Sequence, residues 1–146
     1  MRVRGWLAVP AVLALSGCAS EEAIRRRDAP YERASVRGGE LLTPAITEAC
    51  RDRLLERIKD MEQSTAFAPS VLGARIMMLK RYSDFFTGEP KVPADQLLVI
   101  VAQFRGPSLG LKQKGTFGCS YRIEGDRLVL LDVLLSGDFY IQRGYI

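Results

Sequence analysis

The apolar positions of this chain change period along its length, and the changes divide it into elements. From Thr43-Pro44 to about Gln63 the period is helical. Ile46, Cys50, Leu54, Ile58 and Met61 share one face, and Glu48, Asp52, Glu56, Lys59 and Asp60 fall opposite. Thr43 followed by proline is a helix start, a capping side chain ahead of a residue preset for the first turn. Arg57 intrudes on the apolar face, where its stem can lie along the edge. Between Val71 and Tyr82, Leu72, Ala74, Ile76, Met78 and Tyr82 alternate as in a strand. Leu72, Ile76, Leu79 and Phe86 also fit a helix face. The tight bounds at Pro69-Ser70 and Thr87-Gly88-Glu89-Pro90 favour the strand. Leu97 to Phe104 is a continuous apolar run with β-branched residues, the pattern of a central strand. In Thr116 to Glu124, Phe117, Cys119, Tyr121 and Ile123 point one way and the intervening residues the other. Gly125-Asp126 makes a tight turn, and Leu128 to Leu135 returns as the next strand.

These elements predict an α+β fold, with one principal N-terminal helix packed on a three- to four-stranded antiparallel sheet. Residues 44–146 form its single domain. Residues 19–43 read as a flexible tether. They hold few apolar side chains, a charged stretch from Glu21 to Asp28, Pro30 and Gly38-Gly39. Such a tether would hold the domain about 25–30 Å from its attachment point.

The first 18 residues carry an address. Arg2 and Arg4 precede an apolar stretch from Trp6 to Leu15, too short to span a bilayer, and the stretch ends in Leu15-Ser16-Gly17-Cys18. This box resembles the bacterial lipobox, an aliphatic residue, two small residues and cysteine. The resemblance implies that residues 1–17 are a cleaved signal peptide and that Cys18 is the lipid-bearing first residue of a lipoprotein. Palmitate-type chains would then anchor it in the membrane, facing the periplasm. Ala19 after the cysteine implies the outer rather than the inner membrane. Arg25-Arg26-Arg27, close to the anchor, reads either as a headgroup contact or as a charge run offset by Glu21, Glu22 and Asp28.

Composition narrows the chemistry. The chain has 146 residues, 47% hydrophobic and 26% charged, with a net charge of +4. That balance is globular. Two of the positive charges are Arg2 and Arg4, so the rest carries 19 basic and 17 acidic side chains. This, with the export signal, argues against nucleic acid as a partner. The sequence has no histidine, which removes His-based catalysis and the commonest metal ligand.

Two cysteines remain after Cys18. The apolar patterns set Cys50 and Cys119 each on an inward face, and the compartment beyond the inner membrane is oxidising. A Cys50–Cys119 disulfide joining helix to sheet is therefore expected. Neither a C-x-x-C redox motif nor a set of metal ligands accompanies them. The frame Phe117-Gly118-Cys119-Ser120-Tyr121 with a helix-borne cysteine is similar to small exported bacterial domains of unknown function.

No catalytic residue, metal site or cofactor is expected. Asp132 is an acid inside an apolar strand, read either as a perturbed carboxylate or, more plainly, as lying on a wetter strand face, at an edge or paired to an arginine. Asp84, Asp95 and Asp138 have no motif spacing. Arg105, Lys112 and Lys114 surround the glycine-containing 106–115 loop, which lacks phosphate-loop spacing. Phe85-Phe86, Phe139-Tyr140-Ile141 and Tyr145-Ile146 read as packing on the sheet or its edge, or else as a partner patch. The functional expectation is a non-catalytic lipoprotein that binds or positions another envelope protein. The alternative is a periplasmic small-ligand or cell-wall binding module using the 106–115 loop.

Overall fold

The computed structural model describes residues 20–58, 66–105 and 114–139. The fold is α+β. Its helices are α1 (Glu21–Leu41), α2 (Pro44–Arg57) and α3 (Val71–Lys80). Its strands are β1 (Ala68–Pro69), β2 (Leu97–Arg105), β3 (Lys114–Glu124) and β4 (Arg127–Leu134). They form one antiparallel sheet in the order β1-β2-β3-β4. Short 3₁₀ turns at Ala94–Gln96 and Ser136–Phe139 lead into β2 and follow β4.

The continuous apolar run of β2 is explained by burial on both faces. Leu98, Ile100 and Ala102 face α2, together with Phe117, Cys119, Tyr121 and Val133. Leu97 and Val99 face the other way, into a second cluster with Tyr31, Ala74, Met77, Met78 and Leu134. Gly118 on β3 sits where a Cβ would lie 2.0 Å from the Ile100 carbonyl oxygen, so this close strand approach requires glycine. The β3–β4 hairpin closes at Gly125-Asp126, with Glu124 opposite Arg127. Gly125 has φ +60° and Asp126 is not left-handed, the pattern of a II′ turn. Between Ser120↔Asp132 and Tyr121↔Leu130 the register slips, leaving Leu131 as the extra residue of a bulge.

α2 begins as expected, with the Thr43 hydroxyl accepting from Ile46 N–H at 3.4 Å and proline in the first turn. Cys50 and Leu54 are buried, with Ile46 and Ile58 packed beside them. It ends at Arg57, short of Gln63. Residues 59–65, Met61 among them, lie outside the described residues.

The disulfide joins Cys50 on α2 to Cys119 on β3, with Cα atoms 6.1 Å apart. Both cysteines are buried.

Three expectations need correction. Residues 71–80 form a helix, not a strand. The Ser70 hydroxyl accepts from Gly73 N–H at 2.9 Å, and Gly73, Ala74, Met77 and Met78 pack against the sheet. The apolar alternation was the fortuitous result of a helix apolar on nearly every side. Residues 21–41 are a helix, not a flexible tether. The stripe Tyr31, Ala34, Gly38 is buried, and a Cβ on Gly38 would lie 2.7 Å from Leu98. Small residues let α1 approach β2 closely, so the docking face carries little hydropathy. The sheet is accordingly covered by three helices rather than by one principal helix.

Candidate functional site

α3 and the loop after it form the most unusual surface among the described residues. The helix closes with Arg81 N–H donating to the Met77 carbonyl at 2.8 Å, and the Ser83 hydroxyl donates to the Met78 carbonyl. The chain then makes a hairpin-like loop bridged at Ser83↔Pro90. Asp84 N–H donates to Glu89 carbonyl at 2.7 Å, and Gly88 N–H to Asp84 carbonyl at 2.8 Å. The Asp84 carboxylate accepts from Phe86 N–H at 2.8 Å and Thr87 N–H at 2.9 Å. The Thr87 and Phe86 N–H groups hold that carboxyl below its ordinary range. Gly88 supplies the left-handed residue, φ +69°. The loop is therefore tied by four hydrogen bonds that all involve Asp84.

Its tip does the opposite of what folding alone would favour. Phe85 is 93% exposed and Phe86 92%. The rings touch edge to face, centroids 5.5 Å apart, and contribute nothing to either core cluster. Leu72 and Leu79, seven residues apart on the outer side of α3, are also exposed. Two adjacent exposed aromatic rings on a held loop are what an apolar contact surface would present, and packing in either core cluster does not account for them. Burying one such aromatic side chain is worth about 1.5–3 kcal/mol.

A polar latch holds the base of the loop on the sheet. The Tyr82 and Ser120 hydroxyls are 2.6 Å apart, and Ser120 is fully buried. Burial pushes the Tyr82 phenol above its ordinary range. Arg81 donates to the carboxylates of both Asp132 and Asp138. Asp138 also accepts from Leu135 N–H at 2.8 Å. Asp132, the odd acid of the sequence, thus stands beside the bulge as half of an ion pair, tying α3 to β4. Desolvation and the two aspartates act on Arg81 in opposite directions, and its pKa is raised on balance.

The other expected site residues are scattered. Asp95 is exposed in the turn before β2. Phe139 is half-buried against the cluster beneath α3. The backbones of Arg105 and Lys114 are register partners on β2 and β3. Residues 106–113, with Lys112, and Tyr140, Ile141, Tyr145 and Ile146 lie outside the described residues, as does Cys18. The arginine run is paired on its own helix, Arg25 with Glu21 at 3.9 Å, Arg26 with Glu22, and Arg27 with Asp28 at 3.0 Å. A shallow open recess along the outer side of α1, between Glu32, Arg33, Val36 and Glu40, has no enclosing wall among the described residues. Among those residues no cluster of His, Cys, Asp or Glu is arranged to hold a metal, and no helix is long and apolar enough to cross a membrane.

Sequence reasoning named Phe85-Phe86 without fixing their exposure. The available signal was Asp84 followed by Thr87-Gly88, a side chain that caps its own turn and a glycine that closes it. Comparison with protein families, with curated proteins and with solved structures finds no match for this chain.

Proposed function

We propose that this protein is a non-catalytic, membrane-anchored envelope lipoprotein that docks another envelope protein through the surface formed by residues 72–86. Lipidation at Cys18 provides the anchor, as the Leu15-Ser16-Gly17-Cys18 box implies, and the acceptor compartment is the periplasm at the outer membrane. The single observation that carries the docking role is the Phe85-Phe86 pair, exposed at the tip of a loop whose backbone is hydrogen-bonded from within. A loop that ties the backbone N–H groups of Phe86 and Thr87 to Asp84 while both rings stand in water presents those rings rather than leaving them loose.

The test has two parts. Mass spectrometry of the membrane fraction reads acylation at Cys18, which Cys18→Ala abolishes. A photo-reactive phenylalanine analogue at 85 or 86, in cells at native level, then reports the neighbour. One dominant envelope-protein adduct, absent from the same analogue at exposed Glu48 on α2, is the expected result. Correctly lipidated protein that gives no adduct at either aromatic position overturns the docking role.

A further inference from the structure

Only Ala19 and Ser20 separate Cys18 from the first residue of α1. The helix is built to start there. The Ser20 hydroxyl accepts from Ala23 N–H at 3.2 Å, and Glu21 and Glu22 occupy the positive end of the helix dipole. The pairs Glu21–Arg25 and Glu22–Arg26 have the acid ahead of the base at a spacing of four, the favourable order. Residues 21–27 are all exposed, Ile24 to 39%, and the ion pairs of these two turns are made within the helix itself. From Asp28 onward the helix is held. Asp28 pairs with Arg75 of α3 at 3.1 Å, both side chains 18% exposed. Tyr31, Ala34 and Gly38 are buried, and Arg37 reaches Asp126 in the β3–β4 turn at 2.6 Å. The joint between the free and held parts is the Asp28–Arg75 pair, which clamps the helix to α3 two residues ahead of Pro30, a residue that lacks the N–H of the helical ladder.

On the reading of Cys18 as the acylated residue, we infer that α1 is a rigid stalk that fixes the height of the domain above the bilayer. Seven helical residues rise about 10 Å. A domain of this size spans about 35 Å, so the whole molecule stays within about 45 Å of the membrane. A flexible tether would let it search outward and turn freely. A stalk trades that reach for a restricted geometry, which lowers the entropy lost on docking to a neighbour in the same membrane.

The test uses the full acylated protein in nanodiscs. A donor fluorophore on a non-natural amino acid at position 131 and acceptor lipids report the distribution of heights. A seven-residue helical insertion between Arg26 and Arg27 adds about 10 Å at nearly the same helical phase. It is expected to raise the mean by that amount without broadening it. A seven-residue Gly-Ser insertion at the same place is expected to broaden the distribution at least twofold, and Arg75→Ala to broaden it in the same direction by loosening the joint. In cells, both insertions reduce the adduct from position 85. An unmodified chain as broad as its Gly-Ser variant, or a helical insertion that leaves the mean unmoved, overturns the stalk. A chain that never gains acyl mass at Cys18 sinks the anchor and the stalk together, whereas acylated protein with broad heights sinks the stalk alone.

Discussion

On one face of the sheet, α2 is bolted to β3 through Cys50–Cys119, with Leu54, Phe117 and Tyr121 closing around the bond. On the other, α3 and the Asp28–Tyr31 part of α1 are held by Met77 and Met78 and by ion pairs at Asp28–Arg75 and Arg81–Asp132–Asp138, while Gly38, farther along α1, packs on Leu98 of the first face. The first face exposes Leu55 and Leu130 only to 40%. The second leaves Leu72, Leu79, Phe85 and Phe86 in water. A domain of about one hundred residues has little stability to spare. Concentrating a covalent restraint on one side lets the other side expose apolar surface without the fold failing.

The largest expected effect tests that division. The disulfide spans 69 residues, for which the chain-entropy model gives about 4 kcal/mol. Cys50→Ala with Cys119→Ala is expected to lower the melting temperature by roughly 15 °C. A drop of only a few degrees would mean that the two faces contribute alike.

The next effect concerns α1. An alanine Cβ at position 38 would press on Leu98 at 2.7–2.8 Å, whereas at position 39 its nearest neighbour is Pro69 at an ordinary 3.7 Å. Overpacking costs about 1–3 kcal/mol, and replacing glycine by alanine in a helix returns about 1 kcal/mol. Gly38→Ala should therefore destabilise by about 1 kcal/mol and Gly39→Ala stabilise by up to about the same amount. Chemical denaturation reads both. Two near-zero values would return residues 21–41 to the status of a tether.

Those glycines also show what was legible. The start of α2 at Thr43-Pro44, the double-sided apolar run of β2, the alternation of β3, the turn at Gly125-Asp126 and the inward cysteines all follow from local rules, because large side chains or obligatory backbone geometry mark them. α1 was hidden because its docking stripe is Tyr31, Ala34 and Gly38, and close packing by small residues leaves almost no hydrophobic signal. Pro30 and Gly38-Gly39 then read as breakers. α3 was hidden for the opposite reason, since nearly every position is apolar and a helix and a strand fit equally. The serine cap at Ser70 was the missed clue. Phe85 and Phe86 were visible as residues. Their exposure depends on hydrogen bonds inside the loop, which hydropathy does not count.

Acid and alkali should separate the faces again. Hydrogen bonding from Arg27, aided by Arg75 and opposed by burial, holds the Asp28 carboxyl below its usual value of 3.8. A depressed carboxyl contributes stability that is present above its unfolded pKa and is lost as pH falls through the folded one. The loss begins near pH 4, and Asp28→Asn removes that part of it. Burial pushes the Tyr121 phenol up to about 12 on the disulfide face. Its stability is full below pH 10 and is lost as pH rises toward 12, and Tyr121→Phe removes that contribution. Melting curves across pH check both limbs. An acid limb unchanged by Asp28→Asn would place the acid-sensitive contact elsewhere.

The smallest expected change in stability carries the most functional weight. Phe85→Ser with Phe86→Ser truncates two rings that are 93% and 92% exposed, so almost no buried surface is lost and no cavity forms. The melting temperature should stay within the range of surface substitutions, about 0.5 kcal/mol either way. Leu54→Ala, which empties a fully buried position beside the disulfide, should cost about 2–5 kcal/mol on the same scale. With the photo-reactive group moved to exposed Leu79, the doubly substituted chain should lose at least tenfold in adduct yield while remaining folded. A fall of many degrees from the serine pair would mean that the rings pack against the domain in solution. The loop would then belong to the core, and the contrast between a face built for stability and a face built for presentation would collapse.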